Sequence, residues 1–269
     1  MQASFIKKIA GDIEAGQRGV FCLLVGRSGT TPRSPGASMW VYPDGDAEGT
    51  VGGGSTEYEC IKEALDMLEK DDKVRVKSFV HDCGPNSDAE CGGDVQVYFE
   101  LIEPEDEVFV LGAGHVGGAV ARFAAICGFR ATVWDNLEEY ANEENIPWGR
   151  TICCPLEELF DESKRGKLFH ENCYVVIATR GHAMDSDAMR LLAGKKTAYI
   201  GVMGSRSKIA SVNKLLIEAG VSEDYLNSVK RPIGLPLKGE TPEDVALSII
   251  SEIVAARNGA NLEALRNAR

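Results

Sequence analysis

The sequence predicts an α/β protein in two parts, an N-terminal α+β domain and a C-terminal domain built on a parallel sheet. Strand and helix patterns alternate after Val108, which is typical of a parallel sheet with helices on both faces. A buried strand runs directly into the glycine-rich turn Gly112–Gly117, another mark of such a domain. The acidic stretch 103–107 then predicts a boundary between domains at residues 1–103 and 104–269.

The N-terminal part opens with a predicted amphipathic helix, because Phe5, Ile9 and Ile13 recur at helical spacing and Gly16 closes the pattern. A second helix is predicted over about residues 56–69. The predicted strands are apolar or alternating runs, and they cover residues 20–25, 37–42, 73–80 and 94–102. Glycine, proline and serine predict a long loop over residues 26–36.

The C-terminal part alternates apolar strands with helices. The predicted strands cover residues 108–111, 131–134, 174–178 and 198–202, and the predicted helices cover residues 115–127, 186–192, 208–218 and 242–257. The last helix has the clearest beginning, because Thr241 can cap it and Pro242 suits its first turn.

The charge of the chain excludes some classes of partner. A formal net charge of −12 and a pI near 4.9 repel polyanions, so neither nucleic acid nor an anionic membrane is expected as a partner. The first residues lack the apolar core of a secretory signal, and no apolar run reaches the roughly 18 residues of a membrane span. We therefore expect a cytoplasmic protein whose eight cysteines are thiols.

The turn after the first C-terminal strand predicts a phosphate site of the Rossmann type. Gly112, Gly114 and Gly117 permit a tight turn, close approach of a phosphate to the backbone, and close packing of the helix. Asp135 follows the next strand, where such folds place the acid that binds a ribose hydroxyl. Two alternatives stay open: the domain binds no ligand, and His115 caps the helix instead of contacting a phosphate or pterin.

Two further turns follow strands of the same sheet. Gly204, Ser205 and Arg206 would form a second anion cradle, with a plain capped turn as the alternative. Arg180 and His182 end another strand at the expected ligand-binding edge. No lysine, tyrosine or serine arrangement marks a hydride-transfer site, so the motifs indicate binding more than catalysis.

The N-terminal part has eight glycines from Gly26 to Gly54, more than its tight turns require. Gly52, Gly53 and Gly54 would form an amide-rich nest at a helix start, and a flexible surface loop is the alternative. Arg33 offers a bidentate anion contact, and Glu57 offers an acceptor for an amino-pyrimidine edge. Cys91, ahead of two glycines, is a candidate to carry sulfur or contact a metal.

These motifs together resemble the XdhC/CoxI family of accessory proteins that serve molybdenum hydroxylases such as xanthine dehydrogenase. The resemblance covers nearly the whole chain, and it rests on residues 29–39, 44–45, 49–54 with Glu57, 91–93, 112–117, 179–182 with Asp185, 201–206, 232–235 and 241–244. The chain departs from the pattern at Pro236, Leu237 and Lys238, where many relatives have an acidic or small residue. That departure bears on local contacts and not on the family.

The resemblance implies a homodimeric chaperone more than a catalyst. Its cargo would be the molybdenum cofactor, as molybdopterin or its dinucleotide form. The protein would protect the cofactor while a cysteine desulfurase supplies sulfur, and would insert it into the apo-enzyme of a molybdenum hydroxylase. The glycine turn and Asp135 would hold the nucleotide-like end, and Arg33, Gly53, Glu57 and Cys91 would lie near the pterin or the metal. One alternative is an NAD(P)-dependent oxidoreductase that uses the same Rossmann site. Another is a scaffold that bridges the desulfurase and the hydroxylase and whose Rossmann site is vestigial.

Overall fold

The computed structural model describes residues 3–28, 33–81, 93–166, 168–204 and 216–267. The chain divides into two compact units, Met1–Pro104 and Glu105–Arg269. Within the described residues, no helix is both long enough and apolar enough to cross a membrane.

The first unit is an antiparallel sheet with two helices. Its elements are α1 (Ala3–Glu14), β1 (Gly19–Arg27), β2 (Ser38–Val41), β3 (Ala47–Gly49), α2 (Gly54–Lys70), β4 (Val74–His81) and β5 (Gly93–Ile102). The strand order is β3-β2-β1-β5-β4. Alternate apolar residues of the strands form the core with α2, which contributes Cys60, Ala64 and Met67.

The second unit is a parallel five-stranded sheet with helices. Its strands are β6 (Glu107–Leu111), β7 (Arg130–Asp135), β8 (Arg150–Cys153), β9 (Cys173–Ile177) and β10 (Tyr199–Val202). Its helices are α3 (His115–Ile126), α4 (Leu156–Leu159), α5 (Glu162–Arg165), α6 (His182–Leu192), α7 (Glu223–Ser228), α8 (Pro242–Arg257) and α9 (Leu262–Asn267). The strand order β10-β9-β6-β7-β8 places β6, whose five residues are all buried, at the centre.

This order creates a switch point at the centre of the sheet. From β6 the chain moves through β7 to β8, and it then returns to the other side of β6 to form β9 and β10. Connections leave in opposite directions from β6 and β9, so a crevice opens at the carboxyl ends of these two strands. The glycine turn that follows β6 stands at this crevice.

The predicted fold class is confirmed, with an N-terminal antiparallel sheet and a C-terminal Rossmann-like parallel sheet. The patterns missed β3 and β8, which have three and four residues and expose two residues each. They also missed the helices α4, α5, α7 and α9, which have four to six residues each. The predicted helix over residues 208–218 falls largely outside the described residues.

A buried ionic cluster joins three segments of the second unit. The Glu107 side chain, at the start of β6, accepts a hydrogen bond from Arg130 Nη2 at 2.6 Å. His170 Nε2 lies 3.3 Å from the same carboxylate oxygen, and His170 Nδ1 accepts from the Asn172 amide at 3.3 Å. Burial raises the pKa of Glu107, but the hydrogen bonds from His170 and Arg130 outweigh it and hold that pKa below its usual value.

Candidate functional site

Two glycines of the turn after β6 are required by the fold itself. Gly112 has a φ of +117°, and a Cβ there would lie 2.3 Å from the Ala178 carbonyl oxygen. A Cβ on Gly117 would lie 1.9 Å from the Gly112 carbonyl oxygen. Both side chains would collide with backbone, so these positions need glycine whether or not a ligand binds.

Gly114 is different. It precedes α3 with a φ of −70°, which any residue can adopt, and a Cβ there would meet nothing within 4 Å. Neither backbone strain nor packing explains the glycine. Because Gly114 has no side chain, the space in front of the first turn of α3 is open.

Six of the described helices begin in one of two ways, and α4 begins after Pro155 with no side-chain cap. The side chains of Asp161, Ser222 and Thr241 cap α5, α7 and α8. The helices α2, α3 and α6 begin at a glycine and have no side-chain cap, and these glycines are Gly53, Gly114 and Gly181. First-turn N–H groups have no partner within their own helix, so an anion is a suitable acceptor at the glycine-started helices.

A cavity of about 460 Å³ adjoins Gly114. The exposed side chain of His115 lines it, together with Tyr140 and Trp148 from the segment after β7. The Arg122 guanidinium lies 5.7 Å from the centre of the Trp148 ring. The volume suits a small organic ligand, and the aromatic walls suit a flat ring system.

Asp135 lies at the end of β7, as predicted, but its carboxylate already has protein partners. The residue is 3% exposed. Oδ2 accepts a hydrogen bond from the Ala113 amide at 3.0 Å, and Oδ1 accepts from the Leu137 amide at 3.1 Å and from Arg180 Nη2 at 2.5 Å. The carboxylate therefore joins the glycine turn to a guanidinium.

Arg180 follows β9 and is held in place by further contacts. Its Nη2 lies 3.3 Å from Asn136 Oδ1, and its guanidinium lies 4.0 Å from the centre of the Tyr140 ring. A second cavity of about 460 Å³ is lined by Arg180, Asn136 and Met184 among others. The structure thus brings Arg180 to the same edge of the sheet as the glycine turn.

The turn that carries Arg180 is fixed by a buried carboxylate. Asp185 is 2% exposed, and its Oδ1 accepts from the Thr179 amide at 3.2 Å and from the Thr179 hydroxyl at 2.6 Å. Burial raises the pKa of Asp185, and the two bonds from Thr179 oppose this. The backbone of His182 begins α6, but its side chain is outside the described part of the chain.

The third predicted turn is described only at its beginning. Gly204 follows β10, whose parallel pairing with β9 places it at the same carboxyl edge of the sheet. Ser205 and Arg206 lie outside the described residues, so the anion cradle that they would form with Gly204 remains a prediction.

In the first unit, Glu57 braces the glycine loop. Its Oε2 accepts from the Thr50 hydroxyl at 2.6 Å and from the Gly53 amide at 3.2 Å, and the Gly52 amide donates to Thr50 Oγ1 at 3.2 Å. Gly53 and Gly54 have positive φ values of +79° and +59°, so the backbone alone favours glycine there.

Arg33 lines a cavity of about 520 Å³ in the first unit, which Thr50 also lines. The structure therefore places Arg33 near the loop that Glu57 braces. Cys91 lies outside the described residues, so its suggested contact with sulfur or metal remains a prediction. Among the described residues, no group of three or more His, Cys, Asp or Glu side chains could hold a metal ion.

Residue-by-residue reasoning missed three side chains at the carboxyl edge. Tyr140, Trp148 and Asn136 belong to the irregular segment between β7 and β8, where no periodic pattern guides a prediction. The one signal in the sequence was that two aromatic residues, Tyr140 and Trp148, follow Asp135, the residue expected to bind a ribose hydroxyl.

Comparisons with known proteins relate both units to one family. A family profile described as the XdhC Rossmann domain matches residues 108–253, and a profile described as the XdhC and CoxI family matches residues 12–79. These two ranges contain the glycine turn after β6 and the glycine loop before α2.

Two curated relatives are longer than this chain. An Escherichia coli K12 protein described as the uncharacterized protein YqeB is 31% identical over 238 residues, which are 88% of this chain and 43% of that protein. A Bacillus subtilis 168 protein described as a probable subunit of xanthine dehydrogenase is 26% identical over 162 residues, 60% of this chain and 46% of that protein. The chain thus spans less than half the length of either relative.

A solved structure shares the fold. A Bacillus halodurans protein described as a xanthine dehydrogenase aligns with a TM-score of 0.50 and 17% identity, over 96% of each chain. At this identity the likeness concerns the fold alone.

Proposed function

The chain belongs to the XdhC and CoxI family, and on this premise we propose that it is an accessory protein for a molybdenum hydroxylase. It binds the molybdenum cofactor as cargo, protects it during sulfuration by a cysteine desulfurase, and delivers it to the apo-enzyme. The Bacillus subtilis relative, described as a probable subunit of xanthine dehydrogenase, supports a client of that type. We expect the working form to be a homodimer.

Gly114 is the observation that carries this proposal. The protein itself gives no reason for a glycine there, whereas a phosphate in front of α3 would occupy the space that a side chain would fill. The uncapped first turn offers N–H donors and the positive end of the helix dipole. The pterin cofactor ends in a phosphate, or in a pyrophosphate in its dinucleotide form, so its chemistry fits this cradle.

The adjoining cavity supports a flat heterocycle as the neighbour of that phosphate. Tyr140 and Trp148 offer aromatic faces, and Asn145 and Glu243 offer polar groups for the edge of a ring. His115 lines the same cavity and is near enough to Gly114 to contact either the phosphate or the ring. In this proposal, Gly112, Gly117, Gly204, Ser205 and Arg206 shape the remaining turns of the carboxyl edge.

The N-terminal residues are proposed to serve the reactive part of the cargo. Arg33 supplies a cation, and Gly52, Gly53 and Gly54 supply amides at an uncapped helix. Glu57 accepts hydrogen bonds from Thr50 and Gly53, so its proposed role is to position that loop. Cys91 is proposed to carry sulfur or to contact the metal.

Gly114 gives the first test. Molybdenum cofactor is added to the purified protein under anaerobic conditions, and the amount retained after gel filtration and its lifetime are measured. Gly114→Val should reduce retention at least about tenfold with little change in thermal unfolding, because its side chain enters the phosphate space, where a Cβ has no protein atom within 4 Å. Gly11→Val is the matched control, because a Cβ on this exposed helical glycine also meets nothing within 4 Å. A parent protein that neither retains nor protects the cofactor would contradict the proposal.

Cys91 gives a separate test of sulfuration. Cys91→Ala should bind the cofactor as the parent does, but should yield a client enzyme with less sulfurated cofactor when desulfurase is supplied. Cys127→Ala, a partly buried thiol elsewhere in the chain, is the control. Equal sulfuration by Cys91→Ala and the parent would remove Cys91 from the proposal.

An NAD(P)-dependent oxidoreductase is the second candidate, favoured by the strand order and by Asp135 at the end of β7. Against it, the Asp135 carboxylate is buried and bonded to protein groups. Fluorescence titration with NADH and NADPH decides between the two. Binding at micromolar ligand would favour the oxidoreductase, and no binding at millimolar ligand would remove it.

A further inference from the structure

We infer that Asp135, Arg180 and Tyr140 set the length of the ligand at this site, selecting a cofactor that ends in a phosphate monoester over its dinucleotide form. This inference rests on the proposed function, because it names which form of the cargo the Rossmann site accepts. It assigns Asp135 a positioning role and Arg180 a role in specificity.

Asp135 cannot serve a ribose in this arrangement. Both carboxylate oxygens already accept hydrogen bonds, and the side chain is only 4% exposed. Three of the roughly four acceptor sites of the carboxylate are filled, and burial keeps the remaining one from a ribose hydroxyl unless Arg180 or the Ala113 amide moves away. Either change would leave a buried charge or a buried amide without its partner, which is costly.

The guanidinium of Arg180 is held by groups on three sides. Asp135 and Asn136 accept from Nη2, and the guanidinium carbon lies over the Tyr140 ring, 4.0 Å from its centre. Because these contacts fix the side chain before any ligand arrives, little rotamer entropy remains to be lost on binding. The clasp formed by Asp135, Arg180 and Tyr140 is therefore a preorganised feature of the site.

Two side chains of the clasp line different cavities of similar size. Tyr140 lines the cavity beside Gly114, whereas Arg180 lines the cavity beside Asn136 and Leu156. A pterin with one phosphate needs only the cavity beside Gly114 and the cradle at α3. A dinucleotide has a further ribose and base, which would have to cross the stacked Arg180 and Tyr140 side chains to reach the second cavity.

Arg180 can also bind a terminal phosphate. Among the described residues, its hydrogen bonds are donated by Nη2 alone, which leaves Nε and Nη1 for a ligand, and the side chain is 40% exposed. One carboxylate connects it to the amide of Ala113 in the glycine turn. A monoester presents three oxygens on one phosphorus to such a cation and to the α3 amides, whereas each phosphorus of an internal pyrophosphate presents two.

The test compares the dissociation constants of the full-length protein for molybdopterin cofactor and for its cytosine dinucleotide form. We expect the parent to bind the monoester at least about tenfold more tightly. Arg180→Met should weaken monoester binding about tenfold and reduce this preference, and Arg180→Lys should restore part of it. Tyr140→Ala and Asp135→Asn should reduce the preference as well. Arg190→Met, an exposed arginine on α6, is the matched control and should leave both constants unchanged.

Each outcome has a distinct meaning. Equal affinity of the parent for the two forms, or a preference that survives Arg180→Met, overturns the inference and leaves the proposed function standing. Failure of the parent to bind either form overturns both. A merely structural role for the clasp would lower both affinities together, so the ratio of the two constants is the informative readout.

Discussion

Glycines at neighbouring positions of one turn serve different purposes. Gly117 and Gly112 let a helix and two strands approach each other closely, so the fold requires them. Gly114 has open space where a side chain would lie, so we attribute that space to a ligand. The sequence pattern of three glycines cannot separate these purposes, because the distances that do so depend on the folded path of the turn and on its approach to Ala178.

This distinction predicts opposite responses to the smallest substitution. Gly117→Ala should lower the free energy of unfolding by about 2 kcal/mol or more, because its Cβ would collide with the Gly112 carbonyl oxygen. Gly114→Ala should change it by less than about 0.5 kcal/mol. Urea unfolding followed by circular dichroism measures both, and similar losses in the two variants would contradict the assignment.

At the scale of elements, long periodic segments were predicted well and short ones were not. The helix over residues 242–257 agrees with α8, and Thr241 with Asp244 forms the capping box at its start. By contrast, β8 has four residues with one buried, and it is a strand because its backbone pairs with β7. Pairing is a tertiary property, so a local pattern does not reveal it.

The buried cluster of Glu107 links β6 to β7 and to the segment before β9, and its effect should depend on pH. Because the folded-state pKa of Glu107 lies below its value in the unfolded chain, the ionised form stabilises the fold. This contribution is complete above the ordinary glutamate pKa of 4.5, and it is lost as the pH falls through the lower pKa of the folded state.

The variant Glu107→Gln tests this directly. At pH 7 it should lower the free energy of unfolding by about 1–3 kcal/mol, because buried hydrogen bonds to His170 and Arg130 lose a charged acceptor. Between about pH 5 and pH 3, stability should fall less steeply in the variant than in the parent. Glu263→Gln, an exposed glutamate in the first turn of α9, is the control. Parallel pH profiles of the parent and Glu107→Gln would refute the prediction.

At the scale of the whole chain, each unit has its own hydrophobic core. One cluster of buried residues lies entirely between Val20 and Leu101, and two others lie between Val108 and Ile253. The two latter clusters cover the opposite faces of the parallel sheet, as alternate residues of β6 belong to each.

We therefore predict that residues 105–269 fold without the first unit. The fragment should unfold cooperatively on heating, because both faces of its sheet are buried by its own helices. A fragment of residues 129–269 is the control, and it should show no cooperative transition because it lacks the central strand β6 and the helix α3. Non-cooperative melting of the longer fragment would show that the second unit depends on the first.

The sequence alone was enough to predict the fold class, the main elements, and the turns that gather at one edge of the parallel sheet. It could do so because periodicity, caps and glycine turns are local, and because parallel strands bring their carboxyl ends together. The contacts of the site residues required the folded structure, which joins Asp135 to Arg180 and Ala113, places the Arg180 guanidinium over the Tyr140 ring, and leaves Gly114 open. These contacts join residues up to 45 positions apart, and a distance of that kind is set by packing.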